Sequence, residues 1–179
     1  MRIMGISGLP GSGKSLVSDI AIQKGAKIVS MGDIIREEAK KRGESTGETA
    51  RNLRAEHGQF IVSELTIKKI KKLLDDGETN SIIVEGIRSP HEVDMFKENF
   101  TDFIILSIFA NPTLRFERLK NRMREDDSQD FDGFKARDQM ELDFGIGDVI
   151  ALSDKIIINE KDLESYSAEI TSFLDEINL

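Results

Sequence analysis

The sequence predicts an α/β domain in which a five-stranded parallel sheet lies between two layers of helices, a three-layer α/β/α sandwich. Three observations carry this prediction. Short, β-branched apolar runs recur five times, at residues 2–7, 26–30, 81–85, 102–109 and 155–158, and helical patterns separate them. The run at 102–109 (DFIILSIF) is apolar almost without interruption, as a strand covered on both faces must be. The first run (RIMGIS) passes directly into residues 8–15, GLPGSGKS, and from there into a helical pattern. Strand, glycine-rich loop and helix in that order make a phosphate-binding cradle.

Each fixed position of the loop has a mechanical reason. Gly8, Gly11 and Gly13 allow the backbone to curl with its N–H groups turned inward, where a Cβ would obstruct a phosphate oxygen. Leu9, Pro10 and Ser12 fill the places between them and complete the cradle. Lys14 then reaches the β- and γ-phosphates, and Ser15 offers a hydroxyl to Mg²⁺. The following helix, with Leu16, Val17, Ile20 and Ala21 on its apolar face, aims the positive end of its dipole at the same point.

After the second strand, Gly32 and Asp33 predict a helix start with Asp33 as N-cap, and Arg36 falls one turn into that helix. Residues 43–58 are polar and punctuated by glycine, so they read as a mobile or inserted segment. A longer helix follows at 59–74, with Ile61, Leu65, Ile67, Ile70 and Leu74 as its apolar positions. The strand at 81–85 (SIIVE) ends in a carboxylate and runs into Gly86, Ile87 and Arg88. An acid at the end of a buried strand beside a phosphate loop holds Mg²⁺ or its water, which makes Glu85 a metal-site candidate.

In the helix at 112–124, Phe116, Leu119 and Met123 form a core stripe, and Arg115, Arg118 and Arg122 repeat that spacing one residue earlier. The arginine stripe borders the core stripe, so it is expected to look along the surface into a cleft. Arg124 and Arg137 follow, with Glu125, Asp126 and Asp127 between them. Residues 131–152 are helical with a break at Gly145 and Gly147, and an acidic amphipathic helix at 161–177 closes the chain. Tyr166 reads as packing. His57 and His91 have no partners at metal-ligand spacing and read as structural or surface residues.

The chain has 179 residues, enough for one domain with a real core, and is 39% hydrophobic. With no apolar run of membrane-spanning length and no secretory leader, the expectation is a soluble cytoplasmic protein without a membrane partner. The absence of cysteine excludes disulfides, thiolate metal sites and Cys nucleophiles. A net charge of −8 disfavours nucleic acid as a partner, while a small Mg²⁺-bound nucleotide stays compatible through a local cationic pocket.

Taken together these segments resemble the nucleoside monophosphate kinases, adenylate kinase above all. Gly8-Leu9-Pro10-Gly11-Ser12-Gly13-Lys14 is similar to that family's G-x-P-G-x-G-K, and Ser30-Met31-Gly32-Asp33-Ile34-Ile35-Arg36 to its S-T-G-D-x-x-R. Glu85-Gly86-Ile87-Arg88 is similar to D-G-F-P-R with one deletion and Glu for Asp. Arg118 and Arg122 match R-x-x-x-R, and Arg124, Asp126 and Asp127 match the lid's R-x-D-D, with Arg137 as the following lid arginine. Over nearly the whole chain, SMGDIIREEAK, EGIRS and FGIGDVIALSD resemble an archaeal group of adenylate-kinase-related, dephospho-CoA-kinase-like proteins.

The resemblance implies the P-loop NTPase form of the sandwich as one domain over residues 1–179, with an acceptor-binding segment at about 32–75 and a short lid at about 122–137. It implies transfer of the γ-phosphoryl of ATP, with Mg²⁺, to a small nucleotide, AMP first. Lys14 and the loop, with Arg118 and Asn159, would hold the donor, and Ser15 and Glu85 the Mg²⁺. Ser30, Gly32, Asp33, Arg36, Gly86 and Arg88 would receive the acceptor. Arg122, Arg124 and Arg137 would close over the transferring group and offset its charge. An acceptor phosphate is already ionised and needs no base. A hydroxyl acceptor, as in dephospho-CoA kinase, needs one, and Asp33 is the best placed by sequence. A regulatory protein that binds a nucleotide with little kinase activity is the remaining alternative, and the oligomeric state stays open.

Overall fold

Residues of alternating side on each strand divide the interior into two cores. In β1 (Ile3–Ser7), Ile3 faces one layer while Met4 and Ile6 face the other; in β3 (Ile82–Glu85), Ile82 and Val84 oppose Ile83; in β4 (Ile104–Phe109), Ile105 opposes Leu106 and Ile108. A strand apolar on both faces needs cover on both, and the chain supplies it. The computed structural model describes residues 2–122 and 130–179. With β2 (Lys27–Ser30) and β5 (Lys155–Ile158), the strands form a parallel five-stranded sheet in the order β2-β3-β1-β4-β5. The expected α/β/α sandwich is the observed fold.

One face is covered by α1 (Lys14–Gln23) and α9 (Leu163–Glu176), which bring Val17, Ile20 and Ala21, and Ile170, Phe173 and Leu174, onto the core. The other is covered by α2 (Met31–Arg42), α3 (Thr46–His57), α4 (Ile61–Asp75), α5 (Pro90–Asn99) and α8 (Ile146–Ala151). The helices α6 (Pro112–Arg122) and α7 (Phe131–Asp143) stand over the C-terminal ends of the strands near the loop. β1 lies between β3 and β4, so the chain winds away from it in both directions. The crevice left at such a switch point, beyond the strand C-termini, is where α/β sheets bind ligands.

Several local expectations are corrected. Residues 43–58 are mostly helical: a capping box between Ser45 and Glu48 starts α3, whose buried residues are Thr49 and Leu53. Two buried positions one turn apart make too thin a stripe to stand out among polar neighbours. Asp33 is not an N-cap, because β2 runs straight into α2 with Ser30 in the capping position and Asp33 in the first turn. Burial of Met31 in the core draws the helix start forward by three residues, from Asp33 to Ser30 as N-cap. β4 starts at Ile104, since Asp102 sits in a left-handed turn (φ 59°). The expected break near residue 145 is real. Gly145 adopts φ +96°, and a Cβ there would lie 3.0 Å from Pro90 Cδ. Gly147 has no such constraint.

Candidate phosphate-binding cleft

The loop between β1 and α1 is glycine-dependent at three points. Gly8, Gly11 and Gly13 have φ of +145°, +80° and +102°, and a Cβ on them would approach Ile108 O to 2.4 Å, Arg115 O to 2.7 Å and Asn159 Nδ2 to 2.2 Å. Side-chain donors hold its carbonyls from behind. Arg115 Nη1 donates to Pro10 O (3.1 Å), Asn159 Nδ2 to Ser12 O (2.8 Å) and Tyr166 Oη to Gly13 O (3.0 Å). In a trans peptide the N–H points opposite to the C=O. The N–H groups of Gly11, Gly13 and Lys14 are thereby turned away from these three supports, which is the nest the motif requires.

Lys14 is half-buried, and its Nζ donates to Gly8 O (2.6 Å) and Leu9 O (3.1 Å). Burial pushes its pKa down to about 8; the Glu141 carboxylate pulls it up, Arg88 lowers it, and Glu85 raises it. Ser15 is exposed at the start of α1. Glu85, at the end of β3, accepts a hydrogen bond from the buried Ser18 of α1. Ser18 lies one turn beyond Ser15 and holds from behind the Glu85 carboxylate that lines the cleft with Ser15. Among the described residues, no group of three His, Cys, Asp or Glu side chains is arranged to hold a metal. Ser15 and Glu85 fit Mg²⁺ as such loops do, with phosphate oxygens and water supplying the other ligands.

A cleft of about 460 Å³ opens over the loop. It is lined by Gly8, Pro10, Gly11, Gly13, Lys14 and Ser15 of the loop, by Ser30, Gly32 and Arg36, by Glu85, Gly86 and Arg88, by Arg118 and Arg122 of α6, and by Arg137 and Glu141 of α7. Distant segments thus bring Lys14, Arg36, Arg88, Arg118, Arg122 and Arg137 to one place. Arg118 Nη2 donates to Asn159 O (3.0 Å), while its Nη1 is buried with no hydrogen-bond partner among the described residues. A buried guanidinium nitrogen without an acceptor is costly unless a ligand supplies one. Arg36 is exposed and donates through Nε to Asp33 (2.9 Å). Arg88 pairs through Nη1 with Glu141 Oε1 (3.2 Å), and its guanidinium lies 5.9 Å from the Phe144 ring.

Other candidates stand elsewhere. Leu9, Ser12, Asp33 and Asn159 do not line the cleft; Ser12 and Asn159 are buried beneath the loop, where Asn159 braces it. Arg124, with Asp126 and Asp127, lies outside the described residues. Arg115, expected to look into the cleft with Arg118 and Arg122, is instead 2% exposed. It makes a bidentate pair with Asp138 of α7 (2.8 and 2.5 Å), donates to Ala110 O (3.0 Å), and lies 5.0 Å from the Phe134 ring. Being on the border of the core stripe, it was taken inward when α7 docked. Tyr166 packs as expected, and its hydroxyl also braces Gly13, with burial raising its pKa. His57 is exposed, and His91 stacks on Phe60 at 3.8 Å between ring centroids.

Sequence reasoning missed Ser18, Asp138 and Glu141. Ser18 had a signal, its one-turn spacing from Ser15; Asp138 and Glu141 had none beyond lying close to Arg137.

A parallel sheet with a glycine-shaped anion loop at the end of its central strand, overhung by arginines, defines a P-loop α/β domain of the kinase-like kind. Comparison with known proteins agrees. A family model described as "AAA domain" matches residues 7–132. A UPF0200 protein of Methanothermobacter thermautotrophicus is 48% identical over 89% of this chain and 82% of its own length. One of Methanocaldococcus jannaschii is 43% identical over 99% of this chain and 91% of its own. The chain belongs to the UPF0200 family and carries this AAA domain. Among solved structures, TT1252 from Thermus thermophilus aligns with a TM-score of 0.67 at 17% identity, covering 98% of this chain and 97% of that one. Shikimate kinase from Bacteroides thetaiotaomicron aligns with a TM-score of 0.60 at 14% identity, covering 99% of each. At these identities the likeness is one of fold. Among the described residues no helix is long and apolar enough to cross a membrane.

Proposed function

We propose that this protein is a phosphotransferase of the nucleoside monophosphate kinase type, passing the γ-phosphoryl of Mg²⁺-bound ATP to a small nucleotide acceptor, with AMP the first candidate. The observation that carries the reading is the collection of six cationic side chains on one cleft over the loop, in a chain of net charge −8. So many cations facing one another repel, and a polyphosphate offsets that cost. The loop N–H groups and Lys14 hold the donor's phosphates, and Arg118 gives its free Nη1 to the donor. Ser15 and Glu85 would hold Mg²⁺, which would supply charge neutralisation at the phosphates, and Ser18 fixes the Glu85 carboxylate in place.

The acceptor enters over residues 32–75, and Arg36 and Arg88 orient its phosphate. An oxygen of that phosphate forms the new bond to the γ-phosphorus, the bond to the β–γ bridging oxygen breaks, and ADP leaves with the electron pair. Arg122 and Arg137, which line the cleft, offset charge on the transferring group. A phosphate acceptor is favoured over a hydroxyl by the state of Asp33. That carboxylate is exposed, paired with Arg36, and outside the cleft lining. The test is incubation with Mg-ATP and a panel of nucleoside monophosphates. ADP formation that depends on an acceptor is expected; ADP formed at the same rate with every acceptor and with none would turn the reading toward a nucleotide-binding regulatory protein.

A further inference from the structure

Glu141 is the one acidic side chain that α7 contributes to the cleft lining, and nothing in the phosphoryl transfer described above uses it. Its side chain is 13% exposed, and its partner is Arg88, an arginine that the transfer assigns to the acceptor. That contact is a single approach of 3.2 Å, in contrast to the two short bonds by which Asp138, one turn earlier on α7, holds Arg115. Arg88 is 49% exposed, so the pair is partly solvated and exchangeable. Lys14, Arg88 and Glu141 line the same cleft, so the carboxylate faces both the donor lysine and the acceptor arginine.

A carboxylate in this position repels any incoming anion and also engages the Arg88 guanidinium that the anion needs. We propose that Glu141 restrains acceptor binding by competing with the acceptor's anionic group for Arg88, so that the acceptor's phosphate must displace this carboxylate to reach the guanidinium. A phosphate monoester carries a charge of about −1.5 to −2 at pH 7 with three acceptor oxygens, and it outcompetes one monodentate carboxylate. A hydroxyl or a lone carboxylate does not. The inference rests on the kinase reading and adds to it a carboxylate that holds acceptor affinity down.

The test is calorimetric titration of wild type, Glu141→Gln and the double variant Arg88→Ala/Glu141→Gln with AMP, GMP, CMP, UMP and adenosine. Glu141→Gln keeps the shape and removes the competing charge. Its affinity for the preferred monophosphate is expected to rise roughly fivefold or more, with adenosine unchanged. The gain disappears when Arg88 is also replaced. A variant that binds the monophosphate no tighter than wild type overturns the inference and leaves the kinase reading standing. If neither wild type nor variant binds any monophosphate, both fall. A loss of turnover of roughly a hundredfold in Glu141→Gln without tighter binding also overturns it, since that marks a general base for a hydroxyl acceptor. Melting curves of Glu141→Gln and Glu141→Ala verify that the comparison is made on folded protein.

Discussion

The two ends of the cleft are built differently. At the donor end every support is internal: Arg115, Asn159 and Tyr166 are buried, and each holds a loop carbonyl. At the acceptor end the arginines are exposed and each pairs with a carboxylate, Arg36 with Asp33 and Arg88 with Glu141. Buried hydrogen bonds hold their groups rigidly, whereas solvated pairs exchange at little cost. The donor site is therefore preformed and the acceptor site adjustable. The two arginines held by α7 condense that contrast, since each meets one carboxylate and one aromatic ring of that helix or its C-cap. Arg115 meets them inside the protein and Arg88 at the edge of the cleft.

The contrast is easiest to break at its buried end. Asp138→Ala strands the Arg115 charge without its counterion and is expected to cost about 3–5 kcal/mol, since removing one partner of a buried pair leaves the other uncompensated. In a chain of this size that lowers the melting temperature by about 10 °C, read from thermal unfolding. A loss below 1 kcal/mol would place Arg115 in solvent and remove the distinction between the two ends.

The next effect in size belongs to Lys14. Its folded pKa is about 8 against 10.5 in the unfolded chain, with burial the main cause. Between those values the unfolded chain binds the extra proton, so stability rises with pH there, and the cost of the buried ammonium is fully present below about 8. Wild type is expected to gain on the order of 3 kcal/mol relative to Lys14→Met as pH climbs through this window. Denaturant unfolding of both proteins from pH 7 to 10.5 measures it, and parallel curves would mean that Lys14 is solvated. Polyphosphate should reverse the shift, so ATP binding at pH 8.5 takes up protons, read by calorimetry in buffers of different ionisation enthalpy.

The smallest effect sharpens the acceptor end. Asp33→Asn removes the partner of Arg36 on the surface and is expected to change stability by less than ~0.5 kcal/mol. Turnover with the preferred monophosphate should change only mildly. A drop of roughly a hundredfold would make Asp33 a base and the acceptor a hydroxyl.

Much of the fold was legible because its signals are local. β-branched runs, a glycine loop and the 3.6-residue stripes of α1, α4 and α6 each depend on neighbours a few residues away. α3 was not legible, because its two core contacts, Thr49 and Leu53, sit in a polar, Gly-containing stretch that looks like loop. At the cleft, the motif residues that come together are Gly8, Pro10, Gly11, Gly13, Lys14, Ser15, Arg36, Glu85, Arg88, Arg118, Arg122 and Arg137. Arg115 was misread because its helix position allows either side of the border.

The sequence by itself determined the loop and the order of the elements. The conformation that Gly8, Gly11 and Gly13 adopt is disfavoured for residues with a Cβ, and apolar periodicity decides which segments pair and which coil. Only the tertiary structure decided which charges are spent on holding the protein and which face a ligand. Arg115 and Arg118 stand three residues apart on one helix, yet one is locked to Asp138, 23 residues away, and the other keeps at the cleft a nitrogen without a partner among the described residues. Their separation comes from the docking of α7, a packing event between distant segments, and no local pattern encodes which of two adjacent faces a neighbouring helix will cover.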